Sequence, residues 1–276
     1  MTIAAVNGLD LWFDERGEPG APVFLLGGAN SQGTMWWTEE FLAELVAHGL
    51  RPIRSDWRDI GRSSWIDPAT PLYDLDDLTA DVLGLMDHLG LEHAHFVGFS
   101  MGGQVAQTIA LRAPERTRSV TLIATTTMDP SLPPIPAATM EAMAATVAEP
   151  PEDAMLSRLR FLIGNEDRFD EAWWRTQIHD LLARGLNPAC RHAAAVQSTG
   201  DRTDALAAIK APTLVIHGAR DPLRPPAHGR ALAAAIPGAS LLEIEPMGHE
   251  VPVDLADFRS ALVAHLTTVS PQQGPI

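Results

Sequence analysis

The chain has 276 residues, with 20 Lys and Arg against 35 Asp and Glu, and its formal net charge at pH 7 is −15. This balance excludes the basic patches that nucleic acids and anionic membranes require of a partner. The single cysteine, Cys190, excludes an internal disulfide framework. The chain shows neither a membrane-length apolar stretch nor the basic and apolar regions of a signal peptide, so we expect a cytoplasmic protein that binds neither membrane nor nucleic acid.

Strands and helices alternate along most of the sequence. Residues 2–6 and 9–14 flank Asn7-Gly8, the dipeptide typical of a two-residue hairpin, so the chain opens with an antiparallel pair. Further strands are predicted at 22–26, 51–56, 93–97, 118–124, 212–217 and 239–244, and helices at 39–48, 74–89, 104–111, 226–236 and 251–269. This order predicts an α/β fold with a mostly parallel eight-stranded sheet and helices on both faces.

The loop after the strand at 22–26 has the sequence Gly27-Gly28-Ala29-Asn30. A loop at this position of such a sheet can provide an N–H group of an oxyanion hole, and glycine allows the backbone to approach a bound carbonyl. We expect Gly28 to provide this N–H group, and Ala29 and Asn30 to lie beside the substrate. The charges of the polar loop at 56–64 are expected only to brace that loop.

A strand-to-helix turn carries the sequence Val97-Gly98-Phe99-Ser100-Met101-Gly102-Gly103. Gly-x-Ser-x-Gly at such a turn is typical of a nucleophile elbow, in which the serine has a strained backbone and small residues two before and two after it let strand and helix pack closely. Ser100 is therefore the candidate nucleophile. The backbone N–H of Met101, at the start of the helix, is the other candidate donor of the oxyanion hole.

Residues 128–206 interrupt the alternation of strands and helices. Several prolines open this segment, helical patterns follow at 137–147, 152–163 and 171–184, and strand-like runs are missing. The pattern predicts a helical lid, inserted into a core formed by residues 1–127 and 207–276. Among its apolar residues, Met140 and Trp173 are our candidates for contact with the substrate.

A serine hydroxyl is a poor nucleophile near neutral pH, so Ser100 needs a base, and the base needs an acid that fixes its tautomer. In this architecture the order along the chain is serine, acid, histidine. Asp221 and His249 fit that order, and their loops follow strands that end at the same edge of the sheet as the elbow. His217 and His228 could lie near the pocket, but neither has a flexible loop that could deliver its ring. The other candidates are expected to be structural or exposed: Asp201, Asp204, His88, His93, His95, His179, His192 and His265.

These motifs resemble the α/β-hydrolase superfamily from Ala21 to the last helix, through the Gly27-Gly28 loop, the elbow, the stretch from His217 to Pro222, and Gly248-His249. More narrowly, the chain is similar to the aclacinomycin methylesterase group, whose members cleave methyl esters of anthracycline polyketides. Leu26-Gly27-Gly28 stands where most of the superfamily has His-Gly, as in that group, and Pro226-Ala227-His228-Gly229 is also similar. The resemblance implies the roles given to Ser100, Asp221, His249, Met101 and Gly28.

The sequence thus predicts a serine esterase acting on a small apolar ester through an acyl-enzyme. Lactone hydrolysis, C–C cleavage and perhydrolysis use the same three residues and stay open as alternatives, as does a non-catalytic receptor for a small apolar ligand. Dehalogenases and epoxide hydrolases carry Asp at the elbow, where this chain has Ser100. Helical His-x-x-x-His pairs, cysteine clusters and glycine-rich phosphate loops are missing, so neither a metal nor a cofactor is expected.

Overall fold

In the computed structural model, which describes residues 2–269, eight strands form one sheet in the order β1-β2-β4-β3-β5-β6-β7-β8. Only β2 runs against its neighbours, so the sheet is parallel from β4 to β8. The strands are β1 (Thr2–Val6), β2 (Leu9–Glu15), β3 (Ala21–Leu26), β4 (Leu50–Ser55), β5 (Ala94–Phe99), β6 (Thr117–Ile123), β7 (Thr213–Gly218) and β8 (Ser240–Ile244). The predicted α/β-hydrolase fold with a mostly parallel eight-stranded sheet is confirmed.

Five helices connect or follow the strands of the sheet. They are α1 (Glu39–Ala47), α2 (Leu75–His88), α3 (Met101–Arg112), α9 (Ala227–Ala235) and α10 (Ala256–Val269). Apolar side chains of α2, α3 and α9 pack in one hydrophobic cluster, and those of α1 and α10 pack in another. The strands contribute to both clusters, because the successive side chains of a strand point to opposite faces of the sheet.

Local signals explain several of these elements. Asn7 and Gly8 have φ angles of 51° and 79°, the left-handed values that a tight hairpin turn requires. Asp74 begins α2 with a capping box, since its side chain accepts from the backbone N–H of Asp77 and the Asp77 side chain accepts from the N–H of Asp74. The prediction for the last helix was too long, because α10 begins at Ala256 rather than at 251. Pro252 disfavours helical backbone at the residue before it.

Between β6 and β7, the described chain forms helices and no strand. These are α4 (Ala137–Ala145), α5 (Pro151–Ile163), α6 (Glu171–Arg184), α7 (His192–Gln197) and α8 (Thr203–Leu206). Side chains of α5 and α6 join the cluster that contains α1 and α10, whereas Leu206 of α8 joins the other cluster. We keep the name lid segment for residues 128–206; its division from the core stays a prediction, and residues 270–276 of the predicted core lie outside the described range.

Candidate active site

Ser100 occupies the sharp turn between β5 and α3. Its φ and ψ angles are 52° and −113°, values that residues with a Cβ rarely adopt. The turn is held from both sides, since the Ser100 N–H donates to the carbonyl of Ile123 at 2.9 Å and the Thr125 hydroxyl donates to the carbonyl of Ser100 at 2.7 Å. The backbone conformation that the Gly-x-Ser-x-Gly motif predicts is therefore present and supported by neighbouring strands.

The two glycines of the elbow lie in tight backbone contacts. A Cβ atom on Gly98 would lie 2.3 Å from the carbonyl oxygen of Gly102, and a Cβ atom on Gly102 would lie 2.4 Å from that of Leu26. Both distances are far below van der Waals contact. The close approach also lets the Gly102 N–H donate to the carbonyl of Gly27 at 3.1 Å, which ties the elbow to the loop after β3.

Ser100, His249 and Asp221 form a continuous chain of hydrogen-bond contacts. The Nε2 atom of His249 lies 3.1 Å from the Ser100 hydroxyl oxygen, and its Nδ1 atom lies 2.7 Å from Oδ2 of Asp221. The three residues follow β5, β8 and β7 at the carboxyl edge of the sheet. The His249 ring is 3% exposed and packs against the ring of Phe99, with 5.0 Å between the centroids.

The Asp221 carboxylate is fully buried but well supplied with hydrogen-bond donors. Its Oδ1 accepts from the backbone N–H groups of Leu223 and Arg224 at 2.8 and 2.7 Å. Burial alone would raise the pKa of Asp221, but the neighbouring His249, followed by His217 and the Arg224 N–H, lowers it below its usual value. The carboxylate is therefore ionised at neutral pH and can support an imidazolium at His249.

The loop after β3 lies directly beside the elbow. A Cβ atom on Gly28 would lie 3.0 Å from the ring of Phe99 and 3.5 Å from Cβ of Ser100. Among the hydrogen bonds of the described residues, the N–H groups of Gly28, Ala29 and Met101 have no acceptor. These three donors are thus available near the serine, as an oxyanion hole requires.

Residues 21–254 match the model of the alpha/beta hydrolase fold family. The chain belongs to this family. The hydrolase is 34% identical to the rhodomycin D methylesterase of Streptomyces peucetius over 92% of this chain and 94% of that protein. It is 30% identical to a 2-hydroxy-6-oxononadienedioate/2-hydroxy-6-oxononatrienedioate hydrolase of Pseudomonas putida, over 87% and 85% of the two chains. Among solved structures, the enol-lactonase of Burkholderia xenovorans LB400 aligns with a TM-score of 0.77 and 29% identity, over 96% of this chain and all of that one.

The residues predicted to contact substrate lie in different surroundings in this hydrolase. Ala29 is half-buried and Asn30 is exposed, and both follow Gly28 on the loop beside Ser100. The backbone N–H of Asn30 is already engaged, because it donates to Nδ1 of His192 at 3.0 Å. Met140 is 55% exposed on α4, and Trp173 is 38% exposed on α6.

Trp173 lines a cavity of about 420 Å³ between the lid segment and the starts of α1 and α10. Ser100 is not among the lining residues of this cavity. The ring of Trp36, which does line it, lies 5.1 Å from the ring of Phe99 and 5.6 Å from that of Trp174. Trp36 and Phe99 thus connect the cavity wall to the ring of His249 through ring contacts.

The loop that carries His249 rests on the lid segment. The His249 N–H donates to the carbonyl of Leu162, near the end of α5, at 2.8 Å. A Cβ atom on Gly248 would lie 2.2 Å from that same carbonyl oxygen, so only glycine fits there. Beside it, the buried carboxylate of Glu250 pairs with Arg168 at 2.6 Å. Burial raises the pKa of Glu250, and the Arg168 guanidinium opposes that shift.

Sequence reasoning missed these supporting residues because their partners are distant along the chain. Of the two expectations for His192, structural or exposed, the structure shows the first, since its ring is fully buried and contacts the loop of Gly28. Within residues 2–269, no group of three His, Cys, Asp or Glu side chains is placed to hold a metal ion. Over the same range, no helix is both long and apolar enough to cross a membrane.

Proposed function

We propose that this hydrolase cleaves carboxylic esters through an acyl-enzyme formed on Ser100, without a cofactor. The observation that carries the proposal is the unbroken contact of Ser100 with His249 and of His249 with Asp221. In this reaction His249 takes the hydroxyl proton as Ser100 attacks the ester carbonyl, and Asp221 holds the imidazolium that results. His249 then protonates the leaving alcohol, and a water activated by His249 releases the acid.

We assign the oxyanion hole to the N–H groups of Met101 and Gly28. Both are free of intramolecular acceptors in the described residues, and Gly28 packs against the elbow. Negative charge develops on the carbonyl oxygen only in the transition state, so fixed donors there lower the barrier rather than strengthen ground-state binding. Loss of one donor is expected to reduce kcat by about 10²-fold or more.

For the substrate, we propose a methyl ester of a polyketide or of another bulky apolar small molecule. The identity of 34% with a rhodomycin D methylesterase, over nearly the whole length of both chains, supports this class. A cavity of about 420 Å³ with an aromatic wall is large enough for part of such a molecule. We therefore expect Trp173→Ala to raise KM for a bulky ester, with little effect on kcat for a small aryl ester.

The direct test is a panel of esters assayed with the wild-type protein and two variants. Ser100→Ala and Asp221→Asn remove the nucleophile and the acid, and each should reduce kcat/KM by about 10⁴-fold or more. Asp204→Asn, in the exposed part of the lid segment, is the matched control and should keep wild-type activity. Hydrolysis by Ser100→Ala at the wild-type rate would refute the mechanism.

The same panel separates the alternatives that use the same three residues. The panel then also includes an enol-lactone and a diketone that can undergo C–C cleavage. Perhydrolysis is assayed as the formation of a peracid from a carboxylic acid and hydrogen peroxide. The similarity to an enol-lactonase makes the lactone the most informative of these. A receptor, in contrast, would label with a fluorophosphonate at Ser100 and turn over none of the substrates.

A further inference from the structure

The lid segment reaches the proposed oxyanion loop through one buried histidine. The ring of His192, at the start of α7, is fully buried. Its Nδ1 atom lies 3.0 Å from the backbone nitrogen of Asn30, and its Nε2 atom lies 2.8 Å from the carbonyl oxygen of Arg58. Its ring also meets the ring of Tyr73 edge-on, with 6.2 Å between the centroids. Both ring nitrogens are therefore occupied by backbone groups of the core.

These two contacts permit only one state of the ring. The backbone N–H of Asn30 is a donor, so Nδ1 of His192 must accept and carry no proton. The carbonyl of Arg58 is an acceptor, so Nε2 must carry the proton and donate it. A second proton on the ring would set two donors against each other at Asn30. Burial lowers the pKa of His192 to about 4, which agrees with a neutral ring.

The contact matters because Gly28 and Ala29, whose N–H groups have no acceptor, lie in a loop of three successive peptide groups that are each held by a different hydrogen bond. The peptide between Gly27 and Gly28 is held by the core, since the Gly27 carbonyl accepts from the Gly102 N–H and from the indole of Trp57. The next peptide is held within the loop, because the Gly28 carbonyl accepts from the Ser31 hydroxyl at 2.9 Å. In a planar trans peptide, fixing the carbonyl also fixes the direction of the following N–H.

The third peptide, between Ala29 and Asn30, is held from the lid segment. Asn30 has a φ angle of 58°, in the left-handed region that costs free energy for a residue with a side chain. His192 binds its N–H and so keeps the turn in this conformation. A second lid contact braces the far end of the same loop, where the Gln32 side chain donates to the carbonyls of Leu181 and Gly185 at 2.8 and 3.0 Å.

We propose that His192 is a positioning residue for the oxyanion hole. It holds the peptide between Ala29 and Asn30 and, together with the bonds at the two preceding peptides, keeps the loop of Gly28 beside the oxyanion that forms at Ser100. This inference rests on the proposed function, because it assigns His192 to the same reaction. His192 takes no part in proton transfer, since both of its ring nitrogens are bonded to the backbone.

Three variants test this role with a small aryl ester such as p-nitrophenyl acetate. The measured kcat is divided by the fraction of protein molecules that a fluorophosphonate labels. His192→Phe keeps a ring beside Tyr73 but has no hydrogen-bonding atoms, and kcat should fall by about 10-fold to 10²-fold with KM nearly unchanged. His192→Asn offers both an acceptor and a donor and should recover most of kcat. His179→Phe alters a lid histidine whose side chain is 81% exposed and should change nothing.

A wild-type kcat in His192→Phe, or a rise in KM alone, would overturn the proposal. A merely structural role does not predict a fall in kcat at nearly unchanged KM. If His192→Phe does not fold, the same hydrogen bond is removed from the other side. Replacement of Asn30 by its α-hydroxy acid analogue puts an ester oxygen in place of the N–H and keeps every side chain. The proposal requires the same fall in kcat, and an unchanged kcat would overturn it.

Ser100→Ala, assayed in parallel, separates this inference from the proposed function. If the ester is hydrolysed equally well without the hydroxyl of Ser100, the proposed function fails, and the inference fails with it. If hydrolysis depends on Ser100 and His192→Phe retains full kcat, only the role of His192 is wrong.

Discussion

The backbone conformation of Ser100 predicts that two inactive variants, Ser100→Gly and Ser100→Ala, differ in stability. Its φ and ψ angles of 52° and −113° are favourable for glycine and costly for other residues. Such a conformation costs about 1 to 3 kcal/mol. Ser100→Gly and Ser100→Ala both remove the hydroxyl and its contact with His249, so both should be inactive. Only the glycine variant also relieves the backbone.

The expected difference follows from two opposing contributions. Relief of the backbone should stabilise Ser100→Gly by about 1 to 3 kcal/mol relative to Ser100→Ala. The larger conformational entropy of glycine in the unfolded chain offsets about 0.5 to 1 kcal/mol of this gain. The net gain of Ser100→Gly over Ser100→Ala is then about 0 to 2.5 kcal/mol. Ala234→Gly, at an exposed position in α9, carries the entropic cost without any relief and should destabilise by about 0.5 to 1 kcal/mol.

Urea unfolding followed by circular dichroism measures these differences as shifts of the midpoint at constant slope. The result that supports strain at the nucleophile is a higher midpoint for Ser100→Gly than for Ser100→Ala, together with a lower midpoint for Ala234→Gly than for wild type. If glycine destabilises position 100 as it does position 234, the conformation of Ser100 stores no free energy and this reasoning is refuted.

Three further predictions concern the contacts of the lid segment. Gly248→Ala places a methyl group against the carbonyl of Leu162. Because this displaces the neighbouring His249, kcat in the ester assay should fall about 10-fold or more. An unchanged kcat would contradict the tight contact. Arg168→Met leaves the buried carboxylate of Glu250 without its partner and should destabilise the fold by about 3 to 5 kcal/mol at pH 8. Since burial raises the pKa of Glu250, part of this loss should return as the pH is lowered and the carboxyl protonates. The stability of Arg168→Met combined with Glu250→Gln should be less sensitive to pH. His192 has a pKa of about 4 in the fold, and the ordinary value is 6.5. Between these pH values the unfolded chain binds a proton that the folded chain does not, so the contribution of His192 to the free energy of unfolding should decrease by about 3 kcal/mol as the pH is lowered. Urea unfolding over this pH range should show a shallower dependence for His192→Asn than for wild type, and an equal dependence would show that the ring is not held neutral.

The fold and the contact of Ser100, His249 and Asp221 could be predicted because their signals are local. Gly98-Phe99-Ser100-Met101-Gly102 contains within five residues the strain, the nucleophile and the small neighbours that the elbow requires. Asp221 and His249 each follow a strand in the chain order of this architecture, and parallel strands bring their carboxyl ends to one edge. Hydrophobic periodicity gave most of the helices, with the short α7 and α8 missed.

The supporting contacts could not be predicted, because each depends on a partner far away in sequence. His192 meets Asn30 across 162 positions, and neither residue carries a local sign of the other. The pairing of Arg168 with Glu250 spans 82 positions and decides whether a buried carboxylate is tolerated. The contacts of Trp36 with Phe99 and with Trp174 depend equally on how α6 packs against the segment before α1, which periodicity does not specify.

Taken together, the contacts of the lid segment restrict how the sequence of such a hydrolase can change. The carbonyl of Leu162 holds the loop of His249, and His192 holds the loop of Gly28, so the same segment that borders the cavity also holds two loops of the candidate site. A change that reshapes the cavity without disturbing these anchors should alter KM, whereas one that moves an anchor should alter kcat even for the smallest ester. Trp173 and His192 represent these two cases: both belong to the lid segment, but only His192 bonds to the catalytic core through its ring nitrogens.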